Sequence, residues 1–79
     1  MDAETDALRG APAIDLTING KVVTVPAATT IHDFLAGKRM SDAMAIVERN
    51  GEIVPRADYG TVELLSGDQL EVVHAVGGG

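Results

Sequence analysis

The chain contains no cysteine and no tryptophan. Without cysteine, disulfides, thiolate zinc sites and iron–sulfur clusters are excluded. With only two histidines, His32 and His74, no metal site is expected. Aromatic residues are limited to Phe34 and Tyr59, so the core must be aliphatic, built from Val, Ile, Leu and Ala. No apolar run approaches the ~18 residues of a membrane span, and the acidic N-terminus does not suit a signal peptide. The expectation is a soluble, cytoplasmic protein with no membrane partner. Basic residues are few, 6 against 12 acidic, for a net charge of -6. Nucleic acid is not an expected partner, because phosphate contacts need clustered Lys and Arg. Positive protein surfaces fit better, although an acidic face is commonly just a solvated one. At 79 residues the chain is one domain near the lower size limit for independent folding.

Residues 1–12 show no periodicity and read as a disordered leader. Asp2, Glu4 and Asp6 there face only Arg9, and the remainder is acidic without them. From Ile14 to Ile18 apolar and polar residues alternate as in a half-buried strand. Asn19-Gly20 then supplies the two turn positions that tolerate positive φ. Lys21 to Val25 returns, pairing Ile18 with Lys21, Leu16 with Val23 and Ile14 with Val25, until Pro26 ends the strand. Thr30 is placed as an N-cap, with Asp33 completing an acidic capping box. Ile31, Phe34 and Leu35 share one helical face, with Phe34 as its expected anchor. Gly37, Lys38 and Arg39 suit the helix C-terminus.

Ala43 to Arg49 reads as a third strand, closed by a second turn at Asn50-Gly51, and Glu52 to Val54 pairs back briefly before Pro55. Arg56 to Gly60 is expected as a 3₁₀ turn or loop, with the Tyr59 ring over the core edge. Val62 to Leu65 is a short apolar stretch with a weak strand signal. Ser66-Gly67-Asp68 carries turn chemistry. Gln69 to Val76 is the last strand, and its apolar end places it centrally in the sheet. A hairpin, one helix and two or three further strands predict an α+β fold, a β-grasp. Its mixed sheet of four to five strands carries the helix across one face, with the last strand parallel to the first. The expected domain is 13–76.

The strand runs into Val76-Gly77-Gly78-Gly79. Three glycines add nothing to a core and cost the most backbone entropy on ordering. On their own they are compatible with a frayed end or with a tail threaded into a partner's narrow site, where a side chain would collide. From His74 to Gly79, six residues span at most ~20 Å, enough to cross an enzyme wall. His74 and Val76 would then contact the partner near the tail's exit. His32 reads as a solvated helix residue, and Met40 and Met44 as packing or a soft contact surface. The sheet face opposite the helix is a candidate docking surface. No Gly-rich phosphate loop, Cys nucleophile or paired acid–base set is present.

Several segments together carry a likeness to a known family. They are Ile18-Asn19-Gly20-Lys21, Thr30 to Leu35, Ile46 to Arg56, Gly67-Asp68 and Val73 to Gly79. The chain resembles the ubiquitin-like sulfur carrier proteins, most closely the thiamine-biosynthesis carriers of the ThiS family. The likeness spans Ile14 to Gly79, and the acidic leader departs from it. It implies a protein co-substrate that is not itself an enzyme and binds no cofactor. An E1-like adenylyltransferase of the ThiF type would use ATP to adenylate the carboxylate of Gly79. A cysteine desulfurase relay would then supply persulfide sulfur to make a thiocarboxylate. A thiazole synthase of the ThiG type would accept that sulfur. Gly77, Gly78 and Gly79 would form the threaded segment. Three alternatives stand beside this one: a carrier for molybdopterin or cysteine synthesis, a lysine-conjugating modifier, and a β-grasp interaction domain with incidental glycines.

Overall fold

The computed structural model describes residues 12–74. The leader up to residue 11, and Val76, Gly77, Gly78 and Gly79, lie outside the described residues. The first hairpin is β1 (Ala13–Ile18) and β2 (Lys21–Pro26). Its register pairs Ile18 with Lys21, Leu16 with Val23 and Ile14 with Val25, as the two-residue turn requires. Asn19 and Gly20 both hold positive φ, +50° and +85°, which is why this dipeptide closes the hairpin.

Helix α1 (Ile31–Gly37) follows, with Thr30 and Asp33 forming a reciprocal capping box. Its first three N–H groups have no partner within the helix, and all three are satisfied from outside it. Ile31 N–H donates to the Val62 carbonyl and His32 N–H to the Tyr59 carbonyl. Asp33 N–H donates to the Thr30 hydroxyl. The segment around Val62 to Leu65 is therefore not a strand. It contributes one isolated bridge, Thr30 to Glu63, and its Val62 carbonyl accepts from the helix start. At the other end Lys38 is the C-cap, and Arg39 takes φ +61°. Arg39 N–H then reaches the Ala36 carbonyl and Met40 N–H the Leu35 carbonyl. This left-handed reversal usually falls to glycine, yet Gly37 lies inside the helix here.

A 3₁₀ turn (Asp42–Met44) precedes β3 (Ala45–Arg49), so the third strand starts later than the expected Ala43. The Arg56 guanidinium donates to the Asp42 carbonyl and holds the turn from a distant part of the chain. Strand β4 is short (Glu52–Ile53), and a second 3₁₀ turn (Arg56–Asp58) leads to Tyr59. The ring of Tyr59 does not lie over the core edge. It is the largest fully buried side chain, and its hydroxyl donates to the Ala45 carbonyl at 2.8 Å. The final strand, β5 (Gln69–His74), is central.

Sheet order is β2-β1-β5-β3-β4, with β5 parallel to β1 and antiparallel to β3. Among the described residues, this five-stranded mixed sheet carries one α-helix, the arrangement of a β-grasp. The core lies between sheet and helix: Leu16, Ile18 and Val25 from the hairpin, Val47, Leu70 and Val72 from the other strands, with Ile31 and Leu35 above them. Leu35 and Ile31 are sealed more completely than Phe34, so the helix has three anchors rather than one.

Candidate functional site

The site begins where β5 delivers the chain to its C-terminal tail. His74 is the last described residue, exposed and paired in register with Ala45. Val76, Gly77, Gly78 and Gly79 lie beyond it in sequence. His74 thus ends β5, while Val76 and the glycines fall outside the described residues.

Two asparagines hold β5 in place, one near each end. Strand β1 stops at Ile18, and from there the Asn19 side chain continues its pairing. The Asn19 amide accepts from Val72 N–H at 2.8 Å and donates to the Val72 carbonyl at 3.1 Å. Asn50 does the same at the start of β5, accepting from Gln69 N–H through its side chain and donating to the Gln69 carbonyl through its backbone. Both asparagines of the Asn-Gly turns therefore clamp the central strand as well as reversing the chain. The turns were legible in sequence. The clamps were not, because their partners are 53 and 19 positions away.

The start of β5 is anchored further by Asp68, a buried carboxylate. It accepts from Leu65 N–H, the Arg49 Nε and the Asn50 side-chain amide. Burial pushes its pKa up, but these donors and the adjacent Arg49 charge outweigh that and hold it below the ordinary carboxylate value. Sequence reasoning saw only turn chemistry at this position.

Alternation along β5 turns Leu70 and Val72 into the core and Gln69, Glu71 and Val73 outward. Val73 pairs with Ile46, and beyond Ile46 on the same face Ile53 stands opposite Glu48. Ile46, Ile53 and Val73 are 43%, 60% and 57% exposed. They form an apolar island on the sheet face away from the helix, immediately before the tail. A shallow hollow of about 190 Å³ lined by Ile46, Ile53 and Pro55 adjoins it. Glu48 and Glu71 face each other across β3 and β5 at its border. Like charges directly opposite destabilise a sheet. Sequence could not say which residues project here, since Ala45-Ile46-Val47 and Val72-Val73 are apolar throughout.

The other singled-out residues are placed away from this exit or in packing. His32 is exposed and its Nδ1 lies 2.9 Å from the Asp42 carboxylate, tying the helix start to the first 3₁₀ turn. Met40 packs against the core. A hollow of about 420 Å³ near the β3–β4 turn lies at the opposite end of the sheet from His74. Among the described residues no cluster of His, Asp or Glu could hold a metal ion, and no helix is long and apolar enough to cross a membrane.

Comparison with known proteins agrees with this fold. The model of the ThiS family matches residues 12–79. The Bacillus subtilis protein named sulfur carrier protein ThiS is 46% identical over 65 residues, covering 81% of this chain and 98% of that protein. A Magnetococcus marinus thiazole synthase is 42% identical over 62 residues, covering 78% of this chain and 19% of the synthase. The chain thus spans about a fifth of that relative's length. The crystal structure of the thiamine biosynthesis protein ThiS from Geobacter metallireducens superposes with a TM-score of 0.66 at 32% identity, covering 84% of this chain and all of that one. By a family match over residues 12–79, and by a relative matched over almost its own whole length, this chain belongs to the ThiS family.

Proposed function

We propose that this protein is a sulfur carrier for thiazole formation in thiamine biosynthesis, with the carboxylate of Gly79 as its reacting group. The observation that carries the reading is the near full-length similarity to the Bacillus sulfur carrier, in a chain whose central strand leads into three terminal glycines. Two thiazole synthases, from Magnetococcus marinus and Paramagnetospirillum magneticum, contain a stretch similar to this chain, which favours the thiazole pathway over other sulfur-carrier routes.

A carboxylate is a poor electrophile at neutral pH. In the proposed cycle a Gly79 oxygen attacks the α-phosphorus of ATP on an adenylyltransferase. Pyrophosphate leaves, and the glycyl adenylate has AMP as its leaving group. The terminal sulfur of a desulfurase-derived persulfide attacks the carbonyl carbon and expels AMP. Thiol attack on the resulting acyl disulfide releases the thiocarboxylate, whose sulfur passes to the thiazole synthase. The carrier contributes an end group, a thin tail of Gly77 and Gly78, and a docking surface. ATP and every catalytic side chain belong to the partners. The island of Ile46, Ile53 and Val73, bordered by Glu48 and Glu71, is the docking face for the activating enzyme. It suits a partner surface that brings an apolar wedge and a cation. His74 and Val76 lie between island and end group and would line the entrance.

The experiment is mass spectrometry after incubation with adenylyltransferase, ATP and a persulfide source. The expected product has one terminal oxygen replaced by sulfur. An isopeptide conjugate would instead identify a modifier, and unchanged protein would leave only an interaction domain. Gly78→Val and deletion of Gly79 sharpen the result. Deletion withdraws the carboxylate by ~3.3–3.6 Å, where ~1 Å of misplacement can cost a hundredfold in rate. Both variants should melt like wild type and lose pyrophosphate exchange by orders of magnitude. Exchange at the wild-type rate would show that Gly79 does not carry the chemistry.

A further inference from the structure

On the helix side of the sheet an open groove of about 330 Å³ runs between the first hairpin and the end of α1. Its floor is apolar, formed by Val23, Phe34, Met40 and Val72, and Lys21 and Lys38 stand along it. The Lys38 ammonium lies 5.8 Å from the centre of the Phe34 ring, a cation set over an aromatic face. Among the described residues neither lysine pairs with a carboxylate, whereas Arg49 is committed to Asp68 and Arg56 to the Asp42 and Ala45 carbonyls. Two such cations beside apolar surface suit an occupant that is anionic and carries an apolar side chain.

The chain itself holds a segment of that chemistry, attached nearby. Residues 1–11 carry Asp2, Glu4 and Asp6, with Arg9 as their one cation. In extended backbone successive side chains alternate, so positions 2, 4, 6 and 8 share one side. That side presents three carboxylates and then Leu8, while Arg9 falls on the other. Pro12 hands the chain to β1 where Ala13 pairs with Pro26, and the Ala27 N–H donates to the Pro12 carbonyl. Proline biases Ala11 towards extended backbone, and Gly10 beside it accepts the bend that a reversal needs.

The lengths agree as well. The Leu16–Val23 and Ile18–Lys21 pairs stand three and five residues along β1 from the Ala13–Pro26 pair, which is about 10 Å and about 17 Å. From a reversal at Gly10, an extended leader delivers Leu8 after about 7 Å, Asp6 after about 13 Å and Glu4 after about 20 Å. Leu8 then comes near the level of Val23, and Asp6 and Glu4 bracket Lys21. Strand β2 is at the edge of the sheet, so the leader has no further strand to cross.

We propose that the acidic leader folds back beside β2 into this groove, with Leu8 against Val23 and Phe34 and the carboxylates of Asp6 and Glu4 at Lys21 and Lys38. The groove is an intramolecular docking site, filled by the chain's own N-terminal segment. The island of Ile46, Ile53 and Val73 on the other face stays uncovered. Any acidic protein that approaches the two lysines has to displace the leader first. The proposal stands independently of the sulfur-carrier reading.

The test is paramagnetic relaxation enhancement on the full-length protein. The chain has no cysteine, so Thr5→Cys takes a single nitroxide on the side of the leader that faces away from the lysines. Amide signals of Lys21, Val23, Lys38 and Met40 should lose most of their intensity. Those of Glu52 and Ile53 in β4, at the opposite edge of the sheet, should keep theirs. Adding Glu4→Gln with Asp6→Asn should restore the lost signals, and so should Lys21→Gln with Lys38→Gln. High salt should weaken the loss in the labelled parent. Thermal melts check that each variant is folded, and the leader pair keeps the test valid if the lysine pair is not. Mixing spin-labelled protein with unlabelled, isotope-enriched protein separates one copy from two. Equal broadening in that mixture would put the leader in a second copy's groove and overturn the intramolecular site. Broadening that is absent, spread evenly over the surface or indifferent to the charge changes overturns the proposal outright.

Discussion

At its start β5 is fixed by charge and side-chain hydrogen bonds as well as its neighbours, whereas its far end is held by β3, apolar packing and one asparagine. Around Gln69 and Leu70, β1 lies alongside in parallel, Asn50 clamps the backbone, and the Asp68 carboxylate draws together Arg49, Asn50 and Leu65. Around Val72 to His74, β1 has ended. Pairing there comes from β3 on one side and the Asn19 side chain on the other, over the floor that Phe34 and Met40 provide. The difference teaches where the fold is tied together and where its surface is left apolar and charged. Polar ties are concentrated at the start of β5. The end that leads to the tail keeps apolar and charged surface on both faces.

The comparison breaks most severely at Phe34. Phe34→Ala removes the aromatic support of the tail end and should destabilise the fold by about 3–5 kcal/mol, a large share of the stability of so small a domain. Denaturant melts measure it. A loss below ~1 kcal/mol, typical of a surface site, would mean that the tail end does not depend on this ring.

Asp68→Asn tests the other end and should cost about 1–3 kcal/mol, because Arg49 and the Leu65 N–H lose a charged acceptor. A pH series sharpens it. The folded pKa of Asp68 is depressed, so its contribution is fully present above the unfolded value of about 3.9. It is lost as pH falls through that value toward the lower folded one. Melts of wild type against Asp68→Asn should therefore converge in acid. A stability difference that is constant from pH 7 to pH 3 would assign Asp68 no ionic role.

Asn19→Gly separates turn from clamp. Glycine accepts the φ of +50° at this position, so the hairpin survives, but both bonds to Val72 are lost. The expected cost is about 1 kcal/mol. Amide hydrogen exchange should show it as faster opening at Val72 with Leu70 little changed. Equal loss of protection at both residues would show that β5 opens as one unit and that its ends are not independent.

The smallest effect is expected at Arg39. Left-handed backbone costs a non-glycine residue about 1 kcal/mol or more, and glycine's extra unfolded-state entropy cancels much of the gain. Arg39→Gly should stabilise by about 0.5 kcal/mol or less, at the helix end nearest the tail. A loss instead, in thermal melts, would show that the arginine side chain stabilises the reversal.

Much of this architecture was legible in the chain because it is specified locally. Asn19-Gly20 and Asn50-Gly51 set two hairpins, and period-two alternation fixed the register of the first one residue by residue. Thr30 with Asp33 marked the helix start, and Ile31, Phe34 and Leu35 marked its buried face. Where local signals were weak the tertiary structure differed. The strand expected from Ala43 begins at Ala45, because Arg56 ties the preceding turn down. The stretch Val62 to Leu65 gives the Val62 carbonyl to the helix start and makes one isolated bridge instead of forming a strand. Tyr59, placed over the core edge by sequence, became the largest buried side chain once the Ala45 carbonyl offered its hydroxyl a partner.

By itself the sequence determined the fold class, the hairpin register, the capped helix and the glycine tail, since each is encoded within a few residues of backbone preference. Only the tertiary structure decided which of the apolar residues in Ala45-Ile46-Val47 and Val72-Val73 face outward. It alone placed Glu48 opposite Glu71 and brought Lys21 and Lys38 to one groove. It also set Asn19 and Asn50 against the two ends of β5. The physical reason is the same in each case. A uniformly apolar run has no periodicity from which to read a face, and a contact between residues far apart in the chain exists only after the sheet has paired.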